Sequence, residues 1–153
     1  MSIAPILRTV EVKVAPARAF ELFANHMAGW WPKGGTIGKN HHAEVIIEPR
    51  VGGRWFERDA GGQETQWGKV LAWEPPSRLL LAWQINTAWA YDPSLITELE
   101  LTFAAMASGG TRVTLEHRNL ERFGVDAARH AERLGGGWPT RLTMFADYAD
   151  SNC

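Results

Sequence analysis

His117 is the residue in this sequence best placed to move a proton or orient a ligand. It follows Val113 and Leu115 at every second position, so on a strand it shares their inward face. A buried neutral imidazole can act as a general base or hold a ligand through its ring nitrogens. The same position also suits a histidine near a strand end that bonds a carbonyl or meets solvent. Glu57 is the candidate acidic partner, although nothing in the sequence brings it near His117. If Glu57 points inward, its carboxylate must be paired or its pKa raised by desolvation.

The other reactive side chains form no recognisable site. His41 and His42 are adjacent, and strand neighbours face opposite ways, so both cannot reach one metal. His26 and His130 are isolated residues of helical regions and are expected to be exposed. No His, Cys and Asp spacing matches a zinc site, so neither a metal nor a cofactor is expected. There is no glycine-rich dinucleotide fingerprint, no Walker loop and no nucleophile elbow. Arg112, Arg118 and Arg122 are interleaved with Glu116 and Glu121, the pattern of a solvated face.

Eight tryptophans stand against six Phe and two Tyr. Indole is large, rigid and polar at one edge, which suits a pocket wall as well as a core. The set is read here as a cavity lining. An exposed indole such as Trp89 would also serve a homodimer contact.

The elements that must position these residues follow from periodicity. Leu7 to Val14 alternates as a half-buried strand, and Ala15-Pro16 ends it. Phe20, Phe23 and Met27 make a helical stripe. Gly34-Gly35 and Gly38 form a loop. Six further strands are expected around Ala43–Glu48, Arg54–Arg58, Thr65–Trp73, Leu79–Ile85, Leu95–Met106 and Thr111–Arg118. Short glycine- or proline-containing turns join most of them, so the sheet is mostly antiparallel. The C-terminal region reads as two helices, one to about Leu134 and one from about Trp138. Gly135-Gly136-Gly137 and Pro139 put the continuity between them in doubt. Leu142, Phe145 and Tyr148 carry the second helix's stripe.

The chain, 153 residues with a net charge of −1, suits one domain over 1–153. Sixteen basic against 17 acidic residues argue against nucleic acid or an anionic membrane as partner. No apolar run approaches the roughly 20 residues of a membrane span, and Met1 to Leu7 does not read as a signal peptide. The one cysteine, Cys153, excludes an intramolecular disulfide, so a reducing, cytoplasmic compartment is expected.

The order of elements and five segments resemble a known group. They are VEVKVAPARAFELFA, EPRVGGRWFERDAGG, WGKVLAWEPPSRLLLAWQI, LTFAAMASGGTRVTLEHRNLE and GGWPTRLTMFADYA. The chain resembles the START-like, or SRPBCC, superfamily, and within it the group named after the activator of heat-shock-protein ATPase homologue. The resemblance covers about residues 7 to 149. Gly137-Trp138 matches the usual opening of the last helix, and Pro139 departs from it. The resemblance implies an α+β helix-grip fold, with a curved, mostly antiparallel sheet of about seven strands around a long C-terminal helix. It also implies a cavity between them for lipids, polyketides or other apolar molecules.

On that fold the expected wall is Trp55, Trp67, Trp83, Leu99, Leu101, Leu115, His117, Trp138, Leu142 and Phe145. Trp67 and Lys69 are placed on one face of their strand, an assignment that a bulge would reverse. The favoured function is non-catalytic binding of an apolar small molecule or lipid. The alternatives are a cyclase- or dehydratase-type enzyme using His117 and perhaps Glu57, and an interaction module of the chaperone-activator type with a stress-response role.

Overall fold

The computed structural model describes residues 3–152. Cys153, on which the expectation about disulfides and compartment rests, lies outside the described residues, as do the first two residues of the N-terminal segment. Seven strands form one antiparallel sheet: β1 (Ile6–Val12), β2 (His42–Ile47), β3 (Arg54–Asp59), β4 (Glu64–Glu74), β5 (Arg78–Trp83), β6 (Thr97–Ala105) and β7 (Thr111–Arg118). Their order is β1-β7-β6-β5-β4-β3-β2. Two helices, α1 (Pro16–Asn25) and α2 (Met27–Trp30), carry the chain from one sheet edge to the other, and α3 (Ala127–Ser151) closes the chain. A curled sheet around one long terminal helix is the helix-grip arrangement. No helix among the described residues is long and apolar enough to cross a membrane.

The central strands follow simple alternation. Thr97, Leu99, Leu101 and Phe103 of β6 are buried, as are Thr111, Val113, Leu115 and His117 of β7. Each sends every second side chain to the concave face. Phe145 of α3 meets Phe23 of α1 at 5.2 Å and Trp30 of α2 at 5.3 Å between ring centroids. Helices and sheet thus share one hydrophobic core.

The alternation fails on β3 and β4, with consequences for the site. Trp55, Phe56 and Glu57 are all buried. Phe56 takes the convex side, where the Arg54 and Arg58 guanidiniums lie 4.2 and 5.5 Å from its ring centroid and cover it. On β4 the register slips, with Trp55 opposite Gly68 but Phe56 opposite Gln66. Trp67 is the extra residue of this bulge, so it and Gly68 escape strict alternation. Val70, opposite Leu81, is buried, whereas Lys69 is only partly buried. The expected pairing of Trp67 with Lys69 on one face is therefore corrected: the bulge turns Trp67 inward without Lys69. Gly68 leaves no room for a side chain, since a Cβ there would stand 1.8 Å from the Ala82 carbonyl oxygen.

The expected break in the last helix is also corrected. α3 runs unbroken through Gly135-Gly136-Gly137 and contains Pro139 in its interior. Proline has no N–H for the carbonyl four residues earlier, which is that of Gly135. Arg8 of β1 supplies the missing donor, its Nη2 lying 3.1 Å from the Gly135 oxygen. A charged donor on a partly buried carbonyl contributes more than an ordinary hydrogen bond. The helix thus keeps its length by borrowing a hydrogen bond from the sheet edge. Arg8→Ala is expected to cost roughly 1–3 kcal/mol. In a Pro139→Ala background, where the helix supplies its own N–H, the cost should fall. A double-mutant cycle by urea unfolding measures this coupling, and additive effects would refute it.

Candidate functional site

The interior between sheet and helix is occupied by indoles. Trp31, Trp67, Trp55, Trp83 and Trp138 form a closed ring, each within 5.2–6.1 Å of the next between ring centroids. One comes from the end of α2, three from β3, β4 and β5, and one from α3. The interplanar angles run from 48° to 69°, the tilted and edge-to-face geometries that aromatic quadrupoles favour. Because these five side chains fill the space that was read as a cavity, the open volume lies beside them.

That volume is a cleft of about 310 Å³, at the low end of the roughly 300–1,000 Å³ usual for small-molecule sites. Its apolar wall is Trp31, Ile37, Trp67, Trp83, Ile85 and Trp89, and its polar groups are Thr36 and Arg141. A smaller recess shares Trp83, Trp89 and Arg141 with it and adds Arg133, Leu134 and Trp138. Gly34 and Trp89 on the rim are exposed, so the cleft is open to solvent.

Of the ten residues expected to line a cavity, Trp67, Trp83 and Trp138 face these openings. Trp55, Leu99, Leu101, Leu115, His117, Leu142 and Phe145 are buried and stand on neither wall. Trp31, Ile37, Trp89 and Arg141 were not anticipated. Arg141 sits one helical turn after Trp138, so the i, i+3 spacing held a usable signal. Trp31, Ile37 and Trp89 lie in segments without periodicity and gave none.

His117 is fully buried, and both ring nitrogens are engaged. Trp138 Nε1 donates to Nδ1 at 3.2 Å. Thr97 Oγ1 lies 2.8 Å from Nε2 and 3.0 Å from the Trp83 carbonyl oxygen. The indole can only donate and the carbonyl only accept. The chain of bonds therefore has one consistent direction: Trp138 to His117, His117 Nε2–H to Thr97, and Thr97 to Trp83. A second proton on Nδ1 would point at the Trp138 N–H. Burial, and secondarily the charge of His130, push the His117 pKa down to about 3. The imidazole is a neutral strut between α3, β6 and β7, with no free nitrogen for a substrate.

Glu57 is buried and does not approach the His117 ring nitrogens, whose partners are Trp138 and Thr97. Its Oε1 accepts from the Ile37 backbone N–H at 2.6 Å and from Trp67 Nε1 at 2.8 Å. The carboxylate is paired, as an inward-facing Glu57 required. It fixes the orientation of one cleft indole and the position of Ile37. His42 braces the same loop from its other side. The His42 Nδ1 lies 2.7 Å from Thr36 Oγ1, and the His42 carbonyl accepts from Lys33 Nζ at 2.6 Å. Burial and the Lys33 charge lower the His42 pKa. The loop carrying Thr36 and Ile37 is thus tied down at two points.

The expectation that His130 is exposed is corrected. It is buried because Trp89 and Phe123 pack on it, with ring centroids 4.9 and 4.6 Å away. Burial, with the Arg133 charge, lowers its pKa. No group of three or more His, Cys, Asp or Glu side chains suited to a metal occurs among the described residues.

The family model for Activator of Hsp90 ATPase homolog 1-like protein matches residues 13–150. Among solved structures, an anthrahydroquino-gamma-pyrone synthase, Txn09, complexed with SUM is 37% identical, with a TM-score of 0.68 over 96% of this chain and 97% of that one. The self-sacrificing resistance protein CalC from Micromonospora echinospora is 30% identical, with a TM-score of 0.75 over 97% and 96%. The Aha1 dimer from Colwellia psychrerythraea shares the fold at 15% identity, with a TM-score of 0.67 over 97% of each chain. A sequence search of curated proteins found no match.

The buried His117 makes stability depend on acid. Above pH 6.5, the ordinary histidine value, His117 is neutral in both folded and unfolded chains. Below it only the unfolded chain takes the proton, until the folded ring titrates at about 3. His117 should therefore cost about 1.4 kcal/mol of stability per pH unit across that window. His117→Asn should flatten the fall of Tm with acid, and an unchanged slope would assign the acid sensitivity to other groups. Glu57→Ala should speed hydrogen exchange of the Ile37 amide at least tenfold, as expected for loss of a charged bond of about 1.5–3 kcal/mol. Glu57→Gln, which keeps an acceptor oxygen, should protect that amide far better than Glu57→Ala.

Proposed function

The chain belongs to the Activator of Hsp90 ATPase homolog 1-like protein family, and from that premise we propose that it binds a planar apolar small molecule in the tryptophan-walled cleft. The observation that carries this reading is the cleft wall itself. Trp31, Trp67, Trp83 and Trp89, from separate segments of the chain, converge on one opening with only a few polar groups, which is the composition of a small-molecule site. Indole faces favour flat aromatic ligands over flexible chains, because stacking adds about 0.5–1.5 kcal/mol per pair beyond area burial.

A second reading, conversion of such a ligand, is favoured by the 37% identity to a synthase. The residues of the cleft wall weigh against general acid–base catalysis. Neither the cleft nor the recess is lined by a carboxylate, imidazole or thiol, and a general base must lie within hydrogen-bond reach of the proton it takes. Thr36 and Arg141 are left to orient a substrate or stabilise charge on it. The binding role is the simpler use of these side chains.

Titration with 9,10-anthraquinone, followed by tryptophan fluorescence, tests the proposal. Saturable quenching is expected, with one equivalent bound by native mass spectrometry. Trp89→Ala, at a rim position, should weaken binding roughly tenfold, with an unchanged far-UV circular dichroism spectrum showing that the fold is kept. Saturation by linear fatty acids but not by polycyclic aromatics would overturn the preference for planar ligands. No saturable binding of either class would overturn the site.

A further inference from the structure

Arg141 is a half-buried cation with no hydrogen bond or ion pair among the described residues. The other partly buried arginines all have acceptors: Arg118 pairs with Glu98 and Glu100, Arg78 with Glu100, Arg58 with Glu44 and Glu64, and Arg8 donates to the Leu7 and Gly135 carbonyls. Arg141 instead stacks its guanidinium 4.8 Å from the ring centroid of Trp31. Stacking holds the plane of the group but leaves its N–H donors, which point outward in that plane, without acceptors. Burial lowers its pKa from the ordinary arginine value, yet a guanidinium stays charged in proteins.

The surroundings of Arg141 supply no counter-charge. The residues lining the cleft and the recess include Arg141 and Arg133 but no Asp or Glu. Glu57, the buried carboxylate behind the cleft wall, is already taken by Ile37 and Trp67. Gly35 and Gly137 flank the guanidinium. A Cβ on them would stand 3.2 Å from one Arg141 terminal nitrogen and 3.4 Å from the other, so the group is accommodated where side chains are missing. The guanidinium is only partly shielded from water, and an anionic ligand group seated over it would meet charged donors that no protein carboxylate competes for.

We propose that Arg141 is the specificity-determining residue of the cleft and that the ligand is a planar aromatic bearing a carboxylate. The proposal rests on the reading of the cleft as an aromatic-binding site. The aromatic body lies against Trp31, Trp67, Trp83 and Trp89, and the carboxylate is held by the guanidinium fork. Such a fork matches two oxygens in one plane, which lysine does not. Arg133 is exposed, so water and salt screen its charge.

The test compares anthraquinone-2-carboxylate with anthraquinone-2-carboxamide, its neutral analogue, on the full chain at pH 7.5. The wild-type protein should prefer the acid by roughly tenfold or more. Arg141→Met keeps an apolar stem against Trp31 and should bind both probes with about the amide's affinity. Retained amide binding shows that its cleft is intact. Arg141→Lys should keep part of the preference, and Arg133→Met most of it. Equal binding of acid and amide by the wild type would overturn the role of Arg141 while leaving the aromatic site standing. Loss of the preference in Arg133→Met but not in Arg141→Met would also overturn it. Failure of the wild type to bind either probe would overturn the site and this proposal together.

Discussion

Five indoles closed into a ring between sheet and helix are the constraint on which the rest of this protein depends. Trp55, Trp67 and Trp83 rise from three adjacent strands, Trp31 comes from the end of α2, and Trp138 descends from α3. Each has two neighbours in the ring, so none can turn without displacing another. Side chains of this size gain from burial and from edge-to-face geometry. They also set the distance between α3 and the sheet, and so decide where open space remains.

The polar groups near the ring serve mainly to aim it. Glu57 holds the Trp67 indole, and His117 accepts from the Trp138 indole while Thr97 passes the chain of bonds to the Trp83 carbonyl. These residues look reactive as isolated letters, and their chemistry is spent on position. Buried polar groups need partners, and in this interior the partners are indole N–H groups. The nitrogens of Trp55 and Trp83 have no acceptor among the described residues, which marks the β3–β5 side of the ring as its least satisfied part.

The same logic holds for the cleft. Trp31, Trp67 and Trp83 are held by the ring, and the loop bearing Thr36 and Ile37 is tied by His42 and Glu57. A wall fixed in this way has little conformational freedom left to lose. Solved structures of 37% and 30% identity to this chain are a synthase and a resistance protein, so proteins similar to it differ in what they do. The fold alone therefore does not assign a function.

The strands and helices were legible in the sequence because alternation and helical stripes are local, and the helix-grip arrangement of them was implied by the resemblance of five segments to a known group. Val113, Leu115 and His117 on β7, and Leu99 and Leu101 on β6, could be placed inward from spacing alone. So could Leu142 and Phe145 on the last helix. What spacing could not reveal depends on residues distant in sequence. The bulge that turns Trp67 inward is a property of the pairing of β3 with β4. The continuity of α3 across Pro139 depends on Arg8, 127 positions from Gly135. The burial of His130 depends on Trp89 and Phe123. The identity of the cleft wall depends on how five indoles share one interior volume. A single sequence shows which residues are apolar and in what rhythm, but filling a volume and pairing a distant donor are three-dimensional problems. Only the tertiary structure could decide that His117 is engaged by Trp138 and Thr97, that Glu57 is engaged by Ile37 and Trp67, and that Arg141 lines the cleft with no acceptor among the described residues.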